Sequence, residues 1–73
     1  MTYLEFRQKW EQEILPNKET FIRDGQSLIN FLGDVWLEEY KRINDTENDC
    51  FFNNKLIPNT LKHLEKVWGN YPN

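Results

Sequence analysis

One histidine, one cysteine and a pair of adjacent glutamates are the residues of this 73-residue chain from which catalytic chemistry would have to be assembled. His63 and Cys50 would make a nucleophile and its base if folding joined them, the imidazole taking the thiol proton. Their sequence settings point to quieter roles. His63 lies between Leu61 and Leu64, at the edge of an apolar helical stripe. Cys50 precedes Phe51, which suits a small buried hydrophobe. Glu38 and Glu39 resemble paired carboxylates, but adjacent helical residues diverge by about 100° and do not share a site. Asp45, Glu47 and Asp49 alternate as calcium-loop ligands do. Such a loop then needs glycine at its sixth position and glutamate at its twelfth, where this chain has Cys50 and Leu56. The three glycines form no phosphate-cradling loop. No enzyme, cofactor or metal site is therefore expected.

The elements that must position these residues read as helices. Thr2 and Glu5 make a capping-box pattern, and Tyr3, Phe6, Trp10 and Ile14 recur on one helical face, so a helix is expected over 3–14. Pro16 ends it. Asn17 is a suitable N-cap for a second helix over 18–32, with Phe21, Leu28 and Leu32 on its buried stripe and Ile22 and Ile29 beside them. Gly25 within that span costs about 1 kcal/mol relative to alanine, which suggests close approach of another helix. Gly33 and Asp34 read as a break, with Asp34 capping a shorter helix over 36–43. Residues 44–55, rich in Asn and Asp, read as a loop in which at least one of Phe51 and Phe52 turns back to the core. Pro58 opens the last helix, over 57–68, with Leu61, Leu64 and Trp68 inward and Gly69 as its stop. The expected fold is all-α: one domain, residues 1–73, forming a compact bundle of three to four short helices.

Composition narrows the partner. The chain carries a net charge of −3. Residues 33–49 hold six acidic and two basic groups, whereas residues 50–73 hold one acidic and three basic. Nucleic-acid binding is disfavoured, because neutralising phosphates needs clustered Lys and Arg. No apolar run approaches the roughly 20 residues of a membrane span. A polar, helix-like start and a single cysteine suggest a cytoplasmic protein without a secretion signal. Three Trp, three Tyr and five Phe are more rings than a small core should need. An exposed aromatic anchor is expected at Trp36 and Tyr40, rimmed by Asp34, Glu38 and Glu39 and suited to a basic protein partner. The alternative is a helical homo-oligomer holding a small anionic ligand, such as a nucleotide, at a subunit interface. Arg7, Lys9, Arg23, Arg42 and Lys55 would then be its contacts.

The run from Arg23 to Leu32, then Val35-Trp36-Leu37-Glu38-Glu39-Tyr40, Asp49-Cys50-Phe51-Phe52-Asn53-Asn54 and Ile57-Pro58, resembles a group of short proteins from phages and prophages. That group shows a Gly-Gln helix, a Pro-Glu-x-Tyr turn and an Asp-x-Phe-Tyr loop before an Ile-Pro helix start. The likeness spans roughly residues 23–65. Leu37 departs from it where proline is common, and Phe52 where tyrosine is common. The resemblance implies a small product of phage type. Such products often bind and block a host protein, so the expected function is a non-enzymatic inhibitor or adaptor.

Overall fold

In the computed structural model, which describes residues 1–72, Thr2 caps the first helix as its side chain predicts. Its hydroxyl accepts from the Glu5 N–H at 3.1 Å, and the Glu5 carboxylate accepts from the Thr2 N–H at 2.7 Å. Two donors that helix geometry leaves over are thereby satisfied. The Thr2 backbone N–H also holds the Glu5 carboxyl below its ordinary pKa. Helix α1 spans Tyr3–Lys9 and continues through one wider π-helical turn, Trp10–Ile14. The Leu15 N–H donates to the Trp10 carbonyl at 2.8 Å, the i to i−5 bond of that turn. Phe6 and Trp10 face the core from this element, and Tyr3 and Ile14 pack beside them.

Helix α2 spans Asp24–Val35, not 18–32. Asn17 does not cap it; its amide donates to the Glu13 carbonyl of the preceding element. The Lys18 ammonium donates to the Ile22 carbonyl at 2.6 Å and pairs with Asp24 at 3.3 Å, closing the 18–23 segment into a turn. The later start has a physical reason at Gly25, now the second helical residue. Its N–H is still one of the helix's free donors, and it donates to Asn54 Oδ1 at 2.8 Å. The close approach expected of Gly25 is real, but its partner is loop backbone, since a Cβ there would overlap the Cys50 carbonyl oxygen.

The break expected at Gly33 and Asp34 is absent, because both lie within α2. The chain turns instead at Trp36 (φ −150°, ψ 74°), the one residue between α2 and helix α3, Leu37–Ile43. Asp34 caps nothing, and no side chain caps α3. Helix α4 spans Ile57–Val67, with Pro58 as its second residue. A 3-10 turn at Asn54–Leu56 leads into it and another at Trp68–Asn70 follows, where Gly69 was expected to stop the helix. Over the described residues the fold is thus an all-α bundle of four short helices.

The 44–53 loop holds itself together through its own polar side chains. Asp49 accepts from the Asp45 N–H at 2.9 Å and from the Phe51 N–H at 3.0 Å. Asp45 has positive φ (63°), a conformation that Asp tolerates better than most residues. The Asp49 carboxylate therefore serves backbone donors. Among the described residues no three His, Cys, Asp or Glu side chains converge as a metal site would require. Among them, too, no helix is long and apolar enough to cross a membrane.

The core is largely aromatic. Phe6 stacks on Phe31 with centroids 4.8 Å apart, and Trp68 lies 4.8 Å from Phe6. Trp36 meets Trp68 edge to face at 5.2 Å, and Tyr71 stacks on Trp68 at 4.9 Å. The indole N–H groups need partners once buried. Trp68 Nε1 donates to the Met1 carbonyl, tying the two ends of the bundle together. Trp10 Nε1 donates to Ser27 Oγ, which in turn donates to the Asp24 carbonyl.

Candidate functional site

The expected anchor of Trp36 beside Tyr40 is not built as a surface feature. Trp36 is only 4% exposed, because the turn it occupies sets its indole edge to face against the stacked Trp68 and Tyr71. Glu39 is fully buried and does not rim any surface. Asp34 and Glu38 are exposed, and Tyr40 is half-buried with its ring against Gly33. The surplus of rings is mostly absorbed by the core: Trp10, Trp68 and Phe31 are also buried.

The outward rings are Phe52, 78% exposed, and Phe21, 75% exposed. Phe51 and Phe52 follow Cys50, whose side chain is fully buried. Phe51 packs back against the core, as expected of one member of the pair, and Phe52 projects. Their rings meet at 66° with centroids 4.7 Å apart. The Arg23 guanidinium sits 5.4 Å from the Phe52 centroid and donates through Nε to the Phe51 carbonyl at 3.3 Å. A cation over a ring face is held by the ring's quadrupole. Arg23 therefore joins the start of α2 to the loop tip, two residues from exposed Phe21. Beside this tip lies a hollow of about 230 Å³ lined by Ile29, Tyr40, Asn44, Asp49, Phe51 and Phe52. Of the residues expected at a partner site, Tyr40 is the one that reaches it.

The tip stands on a rigid base. The Cys50 thiol donates to the Gly25 carbonyl at 3.4 Å, and burial pushes its pKa up. On the far side of the 44–53 loop, the Thr60 hydroxyl donates to the Asn48 carbonyl at 2.6 Å.

A second polar cluster lies between α3 and α4. Buried Glu39 accepts from Arg42 Nη1 at 2.8 Å on one carboxylate oxygen and meets His63 Nε2 at 2.7 Å on the other. A carboxylate without water needs such partners on both oxygens. His63 is thus bound to Glu39 while Cys50 is bound to Gly25. The arginines expected as anion contacts are engaged separately: Arg7 with Glu11, Arg42 with Glu39 and Arg23 with the Phe51–Phe52 tip. Lys9 and Lys55 stand exposed.

Sequence reasoning placed Phe21 on a buried stripe and overlooked the Phe52–Arg23 contact. The signal for Phe21 was its position close after Pro16 and Asn17 and beside Thr20, residues of low helix propensity. No local signal links Arg23 to Phe52. No family model, curated protein or solved structure matches the chain.

Proposed function

We propose that this chain is a small, non-enzymatic protein-binding module, of the inhibitor or adaptor kind that phages encode, occluding a surface of a host protein in the cytoplasm. The observation that carries the reading is the Phe51–Phe52–Arg23 tip. An exposed phenylalanine that is already oriented loses little conformational freedom on docking, and large apolar side chains of this kind anchor interfaces. Arg23 and the buried Cys50 beneath supply that orientation. Phe21 is a second exposed ring, and the hollow beside Phe52 can take a side chain from the partner. Asp49 lines the hollow, and exposed Asp34 and Glu38 add negative charge on α2 and α3, which favours a basic partner.

The test is capture of a bacterial protein on the immobilised chain, with native protein, Phe52→Ala with Phe21→Ala, and Asp34→Lys with Glu38→Lys run in parallel. A protein held by the native chain should be lost from the phenylalanine variant and weakened several-fold by charge reversal. Capture that survives loss of both rings refutes the assignment of this surface.

A further inference from the structure

We infer that the mid-helix face of α4 against the 47–48 loop is a binding site for the phosphate group of a small ligand, separate from the Phe52 tip. Asn59, Lys62, His63 and Lys66 follow one another at spacings of three, one and three, so they share one face of α4. With Glu47 and Asn48 they line a hollow of about 340 Å³. Its walls are tied in place: Thr60 holds the Asn48 carbonyl, and the Asn59 amide donates to the Glu47 carbonyl at 3.4 Å.

Polar groups of three kinds, ammonium, imidazole and amide, face this hollow. Lys62 and Lys66 stand one helical turn apart. Among the described residues neither is paired with a carboxylate, although Arg7, Lys18 and Arg42 each are. His63 is the oriented member. Glu39 grips its Nε2 from inside the bundle, and its Nδ1 has no partner among the described residues. No buried side-chain nitrogen among those residues is left unpaired, so Nδ1 is open to solvent. With Nε2 held against Glu39, the second ring nitrogen, Nδ1, faces outward. Two ammonium groups and a side-chain amide spread over two turns, with the imidazole nitrogen between them, match a tetrahedral dianion better than a planar carboxylate. The chain as a whole is acidic, yet among the described residues Glu47 is the only carboxylate lining this hollow, together with two lysines. Glu47 weakens the anion's attraction without cancelling it.

The test is a ¹⁵N–¹H NMR titration of the full chain with inorganic phosphate and with ribose 5-phosphate, at fixed ionic strength, against sodium chloride. Both phosphates should give saturable shifts confined to residues 47–48 and 59–66, with dissociation constants of about 1 mM, the strength of a few charge-assisted contacts. Tighter binding of ribose 5-phosphate would support a site that also holds the ligand's organic body. Equal binding would support a site for phosphate alone. Lys62→Ala with Lys66→Ala should weaken binding at least tenfold, and Glu47→Gln should strengthen it about threefold, as expected for a nearby charge. These three side chains are exposed, and an unchanged fingerprint spectrum of each variant confirms the fold. Shifts that do not saturate, that spread equally to Lys9, Lys41 and Lys55, or that persist in the double lysine variant overturn the site.

Discussion

Two aromatic pairs in this protein have nearly the same internal geometry and opposite surroundings. Trp36 and Trp68 meet edge to face at 5.2 Å and 79°; Phe51 and Phe52 meet at 4.7 Å and 66°. The first pair is closed on every side, with Phe6 and Tyr71 packed on Trp68. The second has one ring against the core and one in solvent, with Arg23 as its outer support. Ring contact therefore does not distinguish a core from an interface here. What distinguishes them is whether a further helix covers the pair. Tyr3 and Phe6 of α1 pack on Trp68, and among the described residues no helix covers Phe52.

Three substitutions probe that contrast. The largest effect is expected at Trp68. Trp68→Ala removes the ring shared by Phe6, Trp36, Tyr3 and Tyr71 together with the bond to Met1, and should cost about 3–5 kcal/mol, read as a lower urea midpoint. A loss below about 1 kcal/mol would mean that the closed cluster is no more than surface-like packing.

An intermediate effect is expected where the two regions join. Gly25→Ala drives a Cβ into the Cys50 carbonyl and should destabilise by about 1–3 kcal/mol through backbone displacement. Part of the response should appear at the tip, since Cys50 carries Phe51 and Phe52. Hydrogen exchange ought to rise at residues 50–54 more than in α1. Uniform exchange would show instead that the tip and the core open as one unit.

The smallest stability effect is expected at Phe52 itself. Phe52→Ala should leave stability within about 0.5 kcal/mol, because an exposed ring contributes little burial. Thermal unfolding measures it directly. A loss as large as that at Trp68 would erase the contrast between the two pairs and make Phe52 a structural residue.

Several features were legible in the chain because they depend on residues within a few positions of one another. The Thr2–Glu5 cap, the inward stripe of Phe6 and Trp10, the Asn- and Asp-rich loop, and the Ile57–Pro58 helix start are of this kind. Local signals failed between 17 and 36. Asn17 looked like a cap and Gly33 like a break, yet the start of α2 is set by Gly25 bonding to Asn54, 29 positions away. The candidate site fared similarly. Asp34 and Glu38 were rightly read as surface residues, but Trp36 and Glu39 were drawn inward by partners on α4 and beyond it.

The sequence by itself determined that this protein is helical and where most of its helices end. Propensity, capping and periodicity act over three or four residues and can be read along the chain. Only the tertiary structure decided which rings close and which remain open. Burial depends on what lies across from a residue: Glu39 is buried because His63, 24 positions on, meets its carboxylate. Phe52 is exposed because no such residue arrives.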